Sequence, residues 1–356
     1  MRILLSSRVD AKQRPGGDSI HMWTLADELR RRGHHVFDSA EELEQAPDIL
    51  FHFNLGRPEQ ALDHLSRFPK ARVFVQTIFV DYRTTDQHAS AGTLRKGLTS
   101  ILGAGQMELL KEFGRMMKGQ RGFPSLAYLA KGHDKAVQAV LDQAERIFSA
   151  SGEEMVWIKD RYQIRQEACE TLLPPLSLLY FDQQNGSKPK EGGGAGGLCV
   201  ARIEPLKNQL SLIRAWKESF GNLHLVGDPA PNHQAYFKEC TREAAGKPIE
   251  FHSSKSAEAV RDLYDQIPCH FLPSLMETTG LSTVECLARG GKALVGDRTN
   301  LREIFGDRVH YAKPTDVGEL TEHIAQMQAT PITDHSQWVR THFHPAAIVD
   351  RIEAYF

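Results

Sequence analysis

The sequence predicts an α/β protein built on two open parallel sheets, one in each half of the chain. Two observations predict it. Short aliphatic runs alternate with stretches of helical periodicity, and a glycine-rich tract near the middle separates two such series. The length of 356 residues is enough to bury two cores, and 41% hydrophobic with 25% charged residues is an ordinary globular balance. A formal net charge of −2 gives no electrostatic argument for a nucleic-acid partner, and none is expected. Cys169, Cys199, Cys240, Cys269 and Cys286 are widely spaced without a CxxC pair, and read as free thiols of a reducing compartment. No apolar run reaches the ~18–20 residues needed to span a bilayer. The N-terminus reads as a strand rather than a signal peptide. The expected location is the cytoplasm, with peripheral contact at the inner face of a membrane left open.

In the first half, residues 2–6 read as the first strand. The loop RPGG (14–17) follows, and Asp18 or Ser19 is placed to cap a helix running to about Arg32. Met22, Ala26 and Leu29 share one face of that helix, and Gly33 stops it. Residues 36–38, 48–53 and 71–77 read as further strands. From 94 to 143 the chain reads as mostly helical, and the stretch 95–135 is basic through Arg95, Lys96, Lys111, Arg115, Lys118, Arg121, Lys131 and Lys135. It is either a solvated helical face or a surface for an anionic acceptor or lipid headgroups.

Domain boundaries follow from composition. Residues 1–175 form the first domain, 176–196 a linker and 197–339 the second, followed by a C-terminal helix within 340–356. Gly192, Gly194 and Gly197 spell a formal GxGxxG, but the strand comes after them rather than before, so it is no dinucleotide fingerprint. The second half predicts strands at 198–202, 223–226, 249–252, 270–272 and 293–295. Helices are expected at 209–218, 236–245, 257–266, 282–289 and 317–328, and a last one at about 345–355.

The chemistry concentrates in LPSLMETTGLSTVECLARGG (272–291). A strand ends at Leu272, a loop carries Glu277, and a helix begins near Gly280. Backbone N–H groups of Thr279, Gly280 and Leu281 at that helix start suit a diphosphate. Glu285 then lies roughly 6–9 Å along the axis at about 1.5 Å per residue, where a carboxylate can take two ribose hydroxyls. Glu277 is placed to face the sugar and the positive charge developing at its anomeric carbon. In ARIEPLKNQ (201–209), Pro205 ends a strand, so Arg202 and Lys207 stand at the carboxyl edge of the sheet, where ligands of open α/β sheets bind. Two cations there neutralise a diphosphate without a metal. No DxD motif is present, and His34-His35 and His342-x-His344 lack a third ligand, so no metal or other cofactor is expected.

The order of the Gly16-Gly17 loop, ARIEPLKNQ, LHLVGD (223–228), the E-x7-E stretch and REIFGD (302–307) resembles family 4 of the retaining GT-B glycosyltransferases. The likeness is strongest from about 197 to 314. It implies two Rossmann-like domains facing a central cleft, the C-terminal helix within 340–356 packing back on the first, with a UDP- or GDP-sugar donor and a glycan or lipid-linked acceptor. It also implies that Arg202 and Lys207 contact the diphosphate, Glu285 the ribose and Glu277 the donor sugar. Gly16 and Gly17 would close over the donor, Gly227 would lie near the base, and Glu303 would sit in a loop facing the donor. Two positions depart from the family. In VFVQTIFVD (73–81), Phe79 stands where many relatives carry a sugar-binding His, so that role is either missing or moved to Asp81 or Tyr82. Asp297-Arg298-Thr299-Asn300 replaces a glycine pair before Glu303. Within the same fold, a nucleotide-sugar epimerase or a non-catalytic nucleotide-sugar-binding protein are the alternatives.

Overall fold

The computed structural model describes residues 1–8, 11–12, 16–80, 126–182 and 196–356. The basic positions from Arg95 to Arg121, together with Asp81, Tyr82 and most of the expected linker, lie outside the described residues. The chain forms two compact units, Met1–Pro175 with Val349–Phe356, and Leu176–Ile348.

The first unit runs β1 (Arg2–Ser6), α1 (Gly17–Arg31), β2 (His35–Phe37), β3 (Ile49–Phe53), α2 (Glu59–Arg67), β4 (Arg72–Gln76), α3 (Leu126–Lys131), α4 (His133–Gln143), β5 (Ala144–Ser149), α5 (Gly152–Lys159) and β6 (Cys169–Thr171). Its sheet is parallel throughout, in the order β2-β1-β3-β4-β5-β6. Strands covered on both faces read as continuous apolar runs, and Ile3–Leu5, Ile49–Phe51 and Val73–Val75 are accordingly buried. Phe51, Phe74 and Phe148 meet with ring centroids 5.9–6.0 Å apart. The C-terminal Tyr355 and Phe356 close over this cluster, 6.2 Å from Phe148 and 6.1 Å from Phe74.

The second unit runs β7 (Gly196–Val200), α6 (Gln209–Ala215), β8 (Asn222–Val226), α7 (Gln234–Ala244), β9 (Ile249–His252), α8 (Ala257–Gln266), β10 (Cys269–Leu272), α9 (Leu281–Ala288), β11 (Lys292–Gly296), α10 (Thr299–Phe305), β12 (His310–Ala312), α11 (Val317–Ala329) and α12 (Ser336–Phe343), and α13 (Pro345–Glu353) begins in it. Its sheet is parallel in the order β12-β11-β10-β7-β8-β9. Its first strand therefore lies beside its fourth, and the winding direction reverses between β7 and β10. Residues 176–182, expected in the linker, belong to this unit, where the Leu176 N–H donates to the Phe343 carbonyl at 2.8 Å.

Several expectations need correction. α1 is capped by Gly16 without a side-chain bond, because Asp18 is drawn into an ion pair with Arg8 at 2.7 Å. α6 ends at Ala215 rather than 218. Trp216 turns inward against Phe271, and Lys247 Nζ bonds the Ile213 carbonyl at 2.6 Å, which satisfies the helix end early. The last helix lies where it is expected, as α13, but a further helix, α12, precedes it and ends before Pro345. Only Val349–Phe356 group with the first unit. No helix among the described residues is long and apolar enough to cross a membrane.

Candidate functional site

The reversal between β7 and β10 opens a crevice outside their carboxyl ends, the position at which open α/β sheets take ligands. Arg202 follows β7, and the loop to Glu277 follows β10. The two loops are stitched together. The Leu275 N–H donates to the Leu206 carbonyl at 2.8 Å. Asn208 Nδ2 donates to the Pro273 carbonyl at 3.1 Å and to the Pro314 carbonyl at 2.6 Å. Asn208 holds a left-handed backbone (φ 58°), a conformation Asn tolerates better than most residues.

Glu277 is the centre of this arrangement. Its side chain is 8% exposed, and Oε1 accepts from Lys207 Nζ at 2.6 Å and from Ser274 Oγ at 2.8 Å. Its main chain is held as well, because buried Asn300 Nδ2 donates to the carbonyls of Glu277 at 2.7 Å and Thr278 at 3.1 Å. Lys207 and Glu277 are thus brought together, as neutralised charges in a fixed geometry. Arg202 is apart from them. Its side chain is 63% exposed, with Glu204 at 3.4 Å.

Gly280 precedes α9 in the left-handed region (φ 75°, ψ 59°), with no side-chain cap. Among the described residues, no acceptor bonds the N–H groups of Thr279, Gly280, Leu281 or Ser282. Four donors and the positive end of the helix dipole therefore meet there, a fit for an anion. Glu285 lies on the second turn, where its carboxylate accepts from Tyr264 at 3.4 Å and from Tyr180. Burial pushes Glu285 up to about 7, against the two phenol hydrogen bonds that favour its ionised form. Burial and the nearby Glu285 raise both tyrosines, which keeps their hydroxyls as donors.

Gly227 follows β8 with φ 148°, and a Cβ there would lie 2.1 Å from the Ala201 carbonyl oxygen. This close approach holds the exits of β7 and β8 side by side. Glu303 is not in a loop. The segment after Asp297 winds into α10, because Asn300 turns inward to the Glu277 loop, and Glu303 lies on the exposed side of that helix. In the first unit, Gly16 and Gly17 start α1 beside Asp18, which is bonded to Arg8 and to Asn54 Nδ2 at 3.0 Å. Burial would raise Asp18, but these partners outweigh it and hold the carboxyl below its ordinary value. Phe79 is buried in the core of the first unit. Its N–H donates at 2.6 Å to Glu154, whose carboxylate also accepts from the Ala150 N–H at 2.8 Å.

Sequence reasoning missed Asn208, Ser274, Asn300, Tyr180 and Tyr264. Asn208 and Ser274 sit inside the motifs already singled out, but nothing local distinguishes them. Tyr180 reaches Glu285 across 105 positions, a contact only the fold creates.

Residues 182–339 match the family model described as glycosyl transferases group 1. No curated protein matches the chain. Among solved structures, HepE of Anabaena, in complex with UDP and glucose, is 14% identical with a TM-score of 0.69, over 100% of this chain and 99% of that one. Sucrose-phosphate synthase of Thermosynechococcus elongatus is 15% identical with a TM-score of 0.73, over 100% and 98%. WaaG, a glycosyltransferase involved in lipopolysaccharide biosynthesis, is 14% identical with a TM-score of 0.60, over 99% and 95%. The crevice between β7 and β10 falls inside the segment that matches the group 1 glycosyltransferase model, on a chain whose fold is that of the GT-B enzymes.

Proposed function

We propose that the protein transfers a hexosyl group from a nucleoside-diphosphate sugar to a hydroxyl of a glycan or lipid-linked acceptor, with retention at the anomeric carbon and without a metal ion. One observation carries the reading. At the reversal of the second sheet, Glu277 of the Lys207–Glu277 pair stands four residues before Leu281, the start of a helix with unbonded N–H groups. In this reading the donor diphosphate lies on the N–H groups of Thr279, Gly280 and Leu281, with exposed Arg202 as its second source of positive charge. Glu285 receives the ribose hydroxyls, and Gly227 borders the base. Lys207 swings between Glu277 and the diphosphate, while Glu277 faces the sugar. The bond from the anomeric carbon to the diphosphate oxygen breaks, and the bond to the acceptor oxygen forms on the same face. The acceptor proton passes to the departing diphosphate oxygen. Uracil is the first base to test, since the Anabaena neighbour was solved with UDP and with UDP-glucose. A role in surface-glycan or glycolipid synthesis fits the lipopolysaccharide connection of WaaG. A cytoplasmic site, with the basic 95–135 stretch against a membrane, belongs to the same proposal.

The test is release of nucleoside diphosphate from a panel of UDP- and GDP-hexoses, with glycan and lipid-linked acceptors supplied. Turnover in the wild type is expected to fall about 100-fold or more in Glu277→Gln, a loss typical of a removed transition-state contact. Nuclear magnetic resonance of the product gives the anomeric configuration. Tight binding of a nucleotide sugar with no release under any acceptor favours the non-catalytic alternative, for which the buried Phe79 in place of a sugar-binding His is the specific observation.

A further inference from the structure

We propose that His224, Glu250 and His252 form a binding site for one divalent transition-metal ion of the zinc class, on the edge of the second sheet. β8 and β9 are parallel neighbours, with His224 registered against Glu250 and Val226 against His252. Side chains alternate along a strand. Leu223, Leu225 and Phe251 turn to the core, and the three polar residues share the opposite face.

Their ligand atoms form a compact triangle with one shorter edge. His224 Nδ1 is 3.0 Å from His252 Nε2, and Glu250 Oε2 lies 3.5 Å from His224 and 3.6 Å from His252. A tetrahedral zinc ion bound at about 2.0–2.1 Å sets its ligands about 3.3–3.4 Å apart, close to the two carboxylate edges and about 0.3–0.4 Å wider than the edge between the histidines. Hydrogen bonding accounts for the cluster less well. One proton can join the two rings, but the carboxylate stands too far from either nitrogen for a normal hydrogen bond. An ion at the centre satisfies all three groups and replaces that shared proton. Two imidazoles and a carboxylate are a common zinc set that leaves one position open. Glu250 is half exposed, so that position faces water. Asn222 Nδ2, 3.4 Å from Glu250 Oε1, is the outer group that orients the carboxylate.

No local motif announces the site, because the ligands come from two strands and only their pairing joins them. The inference does not rest on glycosyl transfer. It bears on the nucleotide end of the molecule all the same, because the Gly227 N–H donates to the His252 carbonyl at 2.9 Å. A metal on these strands would stiffen the loop assigned to the base.

The test is titration of the full-length chain, stripped with a chelator, with Zn²⁺ alone and then with Co²⁺ as a spectroscopic probe. The expected result is one equivalent of bound zinc and the visible absorption of tetrahedral cobalt. Both should be lost in His224→Gln and His252→Gln, and affinity should weaken about tenfold or more in Glu250→Gln. The control His342→Gln, in an exposed histidine elsewhere among the sixteen, should change neither. Because Glu250 is half exposed, its variant is expected to keep the wild-type circular dichroism and metal-free melting temperature. Absence of tetrahedral cobalt absorption in the wild type overturns the proposal. So does equal zinc affinity in the wild type and a folded Glu250→Gln variant.

Discussion

At the scale of single residues, the two carboxylates of the E-x7-E stretch live in different surroundings. Glu277 has a cation and a hydroxyl on one oxygen, so its charge is compensated. Removing Lys207 would strand a nearly buried carboxylate, which is why an isosteric change at Glu277 tests chemistry more cleanly than a change at Lys207. Glu285 has only neutral phenols, and burial raises it to about 7 from an ordinary 4.5. Between those values the folded protein binds a proton that the unfolded chain has released. The stability gained from that proton is complete below about 4.5 and is lost as the pH rises through about 7. Glu285→Gln mimics the protonated form at every pH. Thermal unfolding of the two proteins should therefore nearly coincide at about pH 4, with the variant more stable by about pH 8. A constant difference across that range would remove the basis for the raised value.

Among elements, two glycines at the crevice test different constraints. At Gly227 a Cβ would collide with the Ala201 carbonyl oxygen at 2.1 Å, and φ of 148° is strained for any side chain. At Gly280 the nearest atom to a Cβ is 3.6 Å away, so only the φ of 75° opposes substitution. Gly280→Ala should cost about 1–2 kcal/mol, the usual penalty of the left-handed region. Gly227→Ala should cost about 3 kcal/mol or more, because backbone must move as well. Urea denaturation of both variants checks the ranking, and equal losses would contradict the crowding between β7 and β8.

For the whole molecule, the last residues belong to the unit formed by the first. Val349 and Ile352 are fully buried, Arg32 binds Asp350 and Glu353 at 2.6 Å each, and Arg146 lies over the Tyr355 ring at 4.2 Å. Ending the chain at Ile348 removes these contacts from the first unit only. Loss of each buried aliphatic side chain costs about 2–5 kcal/mol in a core. Calorimetry should then show the first unit melting earlier, with the transition of Leu176–Ile348 little changed. Coincident shifts of both transitions would mean that the tail does not act on the first unit alone.

How much was legible in advance follows the range of the interactions involved. Strand cores, the start of α9 and the carboxyl-edge position of Arg202 were readable because periodicity, proline and glycine act over a few residues. α10 is not legible locally because its first turn is decided by Asn300 reaching the Glu277 loop, and α6 is shorter than its periodicity suggests because Lys247 closes its end from beyond β8. The sequence by itself therefore determined two parallel α/β series, the cation and carboxylate motifs, and the anion-suited helix start. Only the tertiary structure decided that Lys207 and Glu277 form a pair, that two tyrosines hold Glu285, and that His224 meets Glu250 and His252. Those contacts depend on which strands become neighbours. That choice comes from packing of the whole sheet, which no local window of the chain contains.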